Sequence, residues 1–396
     1  MRKTHVAAII AVLAFFGLFI GNFGQYQLAA MPIAVFTKLG LTSQQFASIM
    51  TAPMMLSIVL SFVSGSLMDK FGIKPVVAVG FILSSIGFII RPFATTYSVM
   101  LIAMILTGLG CCIFNANMSK IVGQLFPAQM VGRIIGVIML GATVSMTAAY
   151  STAVFFPTLE IAFWFSAGFS VVVMLAWFVL VSTKALKGDG AARETSVPIK
   201  EAIGHAAKSK DIWFMGLAFA FMLGGIMVTS TFQPLALITL RGFSESYANS
   251  FATTLTIGNI AGTFIGPFLV LRAKRMKPFL VAILIIAVVC TVFMIEMPPA
   301  FMYGASFILG FVRSAFITIV ISFPFFFKGI GPKYAGTAGG ITSSLMVLGA
   351  VVIPTYIVAP LAKDFHQYFW AAAVCMALCL VFTLLMTDIK KVQPEA

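Results

Sequence analysis

Twelve apolar runs, each long enough to cross a bilayer, constrain this chain more than anything else in it. They fall at about 7–34, 43–67, 75–94, 97–122, 133–156 and 159–183, and again at about 212–238, 246–271, 278–297, 299–327, 334–360 and 367–387. A helix needs about 20 apolar residues to span the hydrocarbon core. Backbone N–H and C=O groups find no water there, so each run must close its hydrogen bonds as helix. Composition agrees: 61% of the residues are hydrophobic and 9% charged, where a soluble domain carries about a quarter charged residues. The expectation is an all-α membrane protein of twelve transmembrane helices. The run that follows Met1-Arg2-Lys3 outlasts a signal-peptide core and contains Asn22, Gln25 and Gln27, so it is expected to be retained as the first span.

The placement of charge supports this count. Threaded from a cytoplasmic N-terminus, 20 of the 25 Lys and Arg fall on the cytoplasmic side, only Lys38, Arg91, Arg241 and Lys363 fall beyond the membrane, and Arg313 remains within it. Such asymmetry is the positive-inside pattern. The net charge of +14 is therefore read as topology, with no nucleic-acid partner. Both termini are expected in the cytoplasm, the protein in the cytoplasmic (inner) membrane, and the working unit a monomer. Cys111, Cys112, Cys290, Cys375 and Cys379 lie inside apolar runs without metal-ligand spacing, so no metal, disulfide framework or cofactor is expected. No nucleophile–base pair points to an enzyme.

The chain divides at its one long hydrophilic stretch, Lys184 to Lys210. We expect a six-helix half over 1–184, a cytoplasmic linker over 185–210 with a short surface helix near Ile199 to Lys208, and a second six-helix half over 211–396. The halves echo each other at an offset of 200 to 206 positions: Tyr26-Gln27 with Phe232-Gln233, Gly65 with Gly266, Lys74-Pro75 with Lys277-Pro278, Gly108 with Gly310, and Arg133 with Lys333. A repeat of this kind marks duplicated transporter folds.

Between the second and third runs stands Gly65-Ser66-Leu67-Met68-Asp69-Lys70-Phe71-Gly72-Ile73-Lys74-Pro75. It resembles the cytoplasmic loop signature of the major facilitator superfamily, G-x-x-x-D-[RK]-x-G-[RK]-[RK], with Ile73 at one basic position. The resemblance implies transport by alternating access. It also implies a cytoplasmic latch formed by Gly65, Asp69, Lys70, Gly72 and Lys74, with Arg133 before the fifth span. Drug-exporting branches carry an intramembrane Arg where this chain has Met104, and a Gly-Pro signature that Gly136 to Ala153 lacks. The stretch from Ala335 through Gly349 to Pro354 is more similar to the eleventh helix of organic-anion and nitrate- or cyanate-type porters. The paired arginines of nitrate porters and the Arg plus Lys of oxalate:formate exchangers are not evident; Arg313 alone is available.

Facilitators bind substrate near mid-membrane, so polar side chains at that depth are the candidates. They are Asn22, Gln25, Tyr26 and Gln27 in the first run, Asn115 and Asn117 in the fourth, Tyr150 in the fifth, Thr229, Thr231 and Gln233 in the seventh, Asn259 in the eighth, Arg313 in the tenth, and Thr342, Ser343, Ser344 and Tyr356 in the eleventh. Interhelical bonding competes with substrate contact for the amides. All eleven carboxylates, Glu245 among them, stand in loops, tails or helix ends, which leaves Arg313 without an intramembrane acid to pair with. A guanidinium there costs at least a few kcal/mol and matches a carboxylate two-pronged. The expectation is a secondary or facilitative carrier of a small organic anion, a carboxylate, by uniport, antiport-type exchange or co-transport with the acid's own proton. The rivals are efflux of hydrophobic or amphipathic compounds and, more remotely, a transporter-like receptor.

Overall fold

The computed structural model describes residues 3–387 apart from 58–59, 61–63, 65–66, 69, 182–198, 273–275, 326 and 328–329. Helices α1 (Lys3–Ala30), α2 (Pro32–Leu39), α3 (Ser43–Met55), α4 (Ile73–Ile90), α5 (Tyr97–Leu125), α6 (Ala128–Thr152) and α7 (Leu159–Leu180) build the first half. A short α8 (Ile199–Ala207) precedes α9 (Lys210–Arg241), α10 (Glu245–Arg272), α11 (Met276–Phe293), α12 (Pro299–Val320), α13 (Gly331–Val352) and α14 (Phe365–Leu385). Among the described residues ten helices are long and apolar enough to span a membrane. The surface helix expected in the linker is α8; the rest of that linker lies mostly outside the described residues.

The chain forms two compact units. One holds the first half together with Ser244–Asn249, the other the remainder of the second half. In the first, Trp177, Phe81 and Phe114 meet edge-on or tilted at ring distances of 5.2 to 5.8 Å inside a core shared by α1, α4, α5 and α7. Trp177 Nε1 donates to Lys74 O at 3.2 Å, so the indole's one polar atom is satisfied within the core.

Duplication is written into the contacts as well as the sequence. Within the first unit Lys38 Nζ donates to Pro92 O (2.9 Å), and within the second Arg241 Nη1 donates to Ile295 O (3.0 Å), both members lying 203 positions further on. Ser48 and Tyr97 share a hydroxyl bond of 2.9 Å, as Ser250 and Tyr303 do at 2.8 Å. Lys74 Nζ reaches Phe178 O (3.4 Å) and Lys277 Nζ reaches Met386 O (2.8 Å). In each half a cation thus neutralises the carbonyl end of a neighbouring helix, the geometry that the helix dipole favours.

Two interruptions have local causes. Pro32, lacking a backbone N–H, separates α1 from α2 at Met31. Beyond α13 the chain passes through a π-helical turn, Ile353–Val358, which contains Pro354 and ends at Ala359. The expected tenth span is shorter than its apolar run, since α12 stops at Val320 ahead of a tight 3-10 turn through Pro324.

Candidate functional site

Three consecutive residues of α1 face three different neighbours, because each helical step turns the side chain by about 100°. Gln25 Nε2 donates to Met50 O on α3 (2.6 Å). Tyr26 is buried, its ring 6.0 Å from Tyr150 on α6. Gln27 Nε2 donates to Ala162 O on α7 (2.9 Å), while its Oε1 accepts from Ser166 Oγ (2.7 Å) and Arg91 Nη2 (3.4 Å). The space left by Gly21 and Gly24 on the same helix is occupied by the side chains of Cys111 and Phe88. This polar segment is the hub that ties the first half together.

Asn117 is likewise engaged, donating to Ser64 Oγ (2.8 Å) and Ile113 O (3.0 Å). Asn22, half-buried, bonds Leu18 O of its own turn (2.9 Å). Asn115 is exposed.

In the second unit Arg313 is 1% exposed. Its Nη1 donates to Thr229 Oγ1 on α9 (2.9 Å) and its Nη2 to Thr291 Oγ1 on α11 (3.3 Å). Each hydroxyl spends its own proton on its helix backbone, Thr229 on Gly225 O or Ile226 O and Thr291 on Ala287 O, and offers a lone pair to the guanidinium. Arg313 Nε has no partner. Close packing places the residue: a Cβ on Gly310, one turn before it on α12, would collide with the carbonyl of Leu255 on α10. The repeat-related Gly108 meets the backbone of Pro53 in the same way.

Gln233 and Thr231 on α9 and Ser306 on α12 are buried, and Gln233 Nε2, Thr231 Oγ1 and Ser306 Oγ lack partners. Asn259 is half-buried. Thr342 Oγ1 bonds Gly339 O of its own helix (3.0 Å), and Tyr356, in the π turn, is 58% exposed.

One buried cation escaped the sequence reading. Arg91 was assigned to the far side of the membrane, yet it is fully buried. The signal was present, since Arg91 lies inside the third apolar run. The side chain folds back from the end of α4, its guanidinium carbon 4.3 Å from the Phe163 ring centroid and 5.4 Å from that of Phe88. Arg91 and Arg313 therefore share burial and differ in company. Two aromatic faces and Gln27 answer the first charge; two neutral hydroxyls answer the second.

Of the latch residues, Gly72 has φ +86° and caps the start of α4, a conformation that favours glycine. Lys70 is exposed, with its Nζ 5.1 Å from the Phe71 ring centroid, Lys74 bonds Phe178 O, and Arg133 is exposed. Gly65 and Asp69 lie outside the described residues.

The model of the Major Facilitator Superfamily matches residues 7–354. The chain belongs to the major facilitator superfamily. Its solved structural neighbours include a bacterial homologue of the human lysosomal transporter Spinster, at TM-score 0.78 and 13% identity over 98% of this chain and 97% of that one. The nucleoside transporter NupG follows at TM-score 0.74 and 13% identity, over 96% and 98%. Among curated proteins, the multidrug resistance protein MdtH of Blochmanniella floridana is 33% identical over 81 residues, a match spanning 20% of this chain and 20% of that relative. An uncharacterised protein of Campylobacter jejuni is 27% identical over 253 residues, 62% of this chain and 75% of that one. Superfamily membership and the ten long apolar helices among the described residues agree on a multi-pass membrane protein.

Proposed function

We propose that this transporter carries a small organic anion, a carboxylate, and that Arg313 supplies the charge that answers it. The observation that supports the reading is the company Arg313 keeps: a buried guanidinium with two hydroxyl acceptors, an unpaired Nε, and no carboxylate partner among the described residues. Neutral hydroxyls satisfy hydrogen-bond geometry without cancelling a formal charge, so an exchangeable anion lowers the energy of the site. Arg91 also lacks a carboxylate partner among the described residues and leaves its Nε and Nη1 unpaired; what sets it apart is that Phe163 and Phe88 present their negative ring faces to it.

In this reading Asn259, which retains accessible surface in the same unit as Arg313, reads the uncharged part of the substrate, and Asn22 and Asn115 of the first unit retain accessible surface of their own. Gln25, Tyr26, Gln27, Asn117 and Tyr150 hold their half together, and Gln233 stands with its amide donor unspent. Uniport, anion exchange and co-transport with the acid's own proton are all compatible with the side chains present. Gly65, Asp69, Lys70, Gly72, Lys74 and Arg133 serve as the cytoplasmic latch.

A second reading, efflux of amphipathic compounds, draws on the 81-residue likeness to MdtH. Thermal-shift measurements on purified protein separate the two, because a ligand selective for the folded state raises its stability. Aliphatic and aromatic carboxylates are tested against uncharged lipophiles and lipophilic cations. Stabilisation by carboxylates supports the anion reading; stabilisation by lipophiles alone, unaffected by added carboxylate, removes it.

A further inference from the structure

Each half buries one glutamine at the same point of the repeat, Gln27 on α1 and Gln233 on α9, both 1% exposed. In the first half the amide is fully used. Its Nε2 donates to Ala162 O, and its Oε1 accepts from Ser166 Oγ and Arg91 Nη2. The second half lacks the side chains that would answer Gln233 in the same way. Ser166 lies eight positions after Thr158, the cap of α7, and Ala372 lies eight positions after Asp364, the cap of α14. Arg91 directly follows α4 and Met294 directly follows α11, two helices of 18 residues each. Ala372 and Met294 are fully buried and offer no donor to an amide oxygen. Gln233 Nε2, for its part, has no hydrogen-bond partner.

This unspent amide stands next to the arginine of its own half. Arg313 bridges Thr229 on α9 and Thr291 on α11. Gln233 follows Thr229 by four positions, so both project from one face of α9 with Cβ atoms about 5–6 Å apart. Met294 follows Thr291 by three positions. Arg241, at the end of α9, donates to Ile295 O just beyond the end of α11, so the two helices run in the same direction. The guanidinium therefore occupies one layer between them, and Gln233 belongs to the next, about 5.4 Å further along the helix axis. Taking Arg313 as the residue that answers the anion, on which this assignment rests, we propose that Gln233 determines specificity: its amide reads an uncharged second oxygen, a hydroxyl, on the chain of a short aliphatic carboxylate.

The chemistry of the layer selects this class. An amide offers two N–H donors and a carbonyl acceptor, so it both donates to a hydroxyl oxygen and accepts the hydroxyl proton. A second carboxylate at this depth would need a second cation to offset its desolvation, and Met294 stands where the first half has its arginine. A plain alkyl chain in the same place leaves the amide buried and unpaired. Sites built to bond a hydroxyl reject the analogue that lacks it for this reason.

The test uses the full chain purified in detergent, with apparent affinity read from ligand-dependent melting temperature. Propanoate, butanoate and pentanoate are each compared with the acid of the same length that carries a terminal hydroxyl. The parent should prefer the hydroxy acid of at least one pair by about tenfold or more, equivalent to about 1.4 kcal/mol. Gln233→Met, nearly the same shape without the amide, should bring that ratio close to one. Its melting temperature without ligand should not fall, since no bond is lost, whereas Gln27→Met should melt well below the parent because Ala162, Ser166 and Arg91 lose their partner. A preference that survives in Gln233→Met, no preference in the parent, or a Gln233→Met chain that melts well below the parent or fails to fold overturns the assignment and makes Gln233 a structural residue. Arg313→Met separates this from failure of the anion reading: it should abolish stabilisation by both members of every pair, and stabilisation that persists in it removes Arg313 and with it the present assignment.

Discussion

Replacing Arg313 by Met separates a substrate-answering charge from a structural rivet. The substitution removes two charge-assisted hydrogen bonds, to Thr229 and Thr291, each worth about 1.5–3 kcal/mol. It also removes a buried charge, whose presence at mid-span costs about 2.5–3.5 kcal/mol on insertion scales and more by other measures. The threonines lose little, because both keep donating to their own backbone. The flexible Met side chain fills most of the vacated volume. These contributions nearly cancel, so stability should change by no more than about 1–2 kcal/mol in either direction. Binding should behave differently: losing one partner of a buried charge pair costs about 2–5 kcal/mol, or about 30- to 4,000-fold in affinity. Melting temperature of the purified variant and uptake of the most strongly stabilising carboxylate into proteoliposomes are the two measurements. A variant that melts well below the parent and still transports that carboxylate at the parental rate would falsify the assignment, and Arg313 would stand as a rivet between α9, α11 and α12.

Two further substitutions test the architecture. Arg91→Met should be destabilising by about 1–3 kcal/mol, since two aromatic faces already answer the charge, each worth up to about 2 kcal/mol when desolvated, and the residue follows the end of α4, where the membrane penalty is smaller; denaturation of the purified variant reads this, and an unchanged melting temperature contradicts it. Gly310→Val should cost at least about 1–3 kcal/mol by overpacking, because the added side chain meets the Leu255 carbonyl rather than a movable side chain. Its expression and melting temperature should fall while Gly304→Val, at a position with open space beside it, leaves both unchanged.

The all-α membrane fold was legible without coordinates, because a bilayer imposes length and apolarity one segment at a time, and ten helices among the described residues meet both conditions. The recurrence of Lys74-Pro75 at Lys277-Pro278 and of Gly108 at Gly310 needed only the chain itself. Interruptions near Pro32 and Pro324 also have local causes, since a missing backbone N–H and a fixed φ break a helix wherever it stands. Arg313 was singled out by a census of charges, which requires no geometry.

What each polar side chain faces was settled only in three dimensions. Gln25, Tyr26 and Gln27 are neighbours in sequence, yet they address α3, α6 and α7, because helix phase sends adjacent residues to different partners that no local pattern names. Arg91 had the composition of a loop cation at the end of a run; burial came from Phe163 and Phe88, one of them 72 positions away. Sequence determines that this chain crosses a membrane and repeats itself, because those properties belong to single segments. Which charges are answered inside the protein depends on packing between segments, and the tertiary structure decides it.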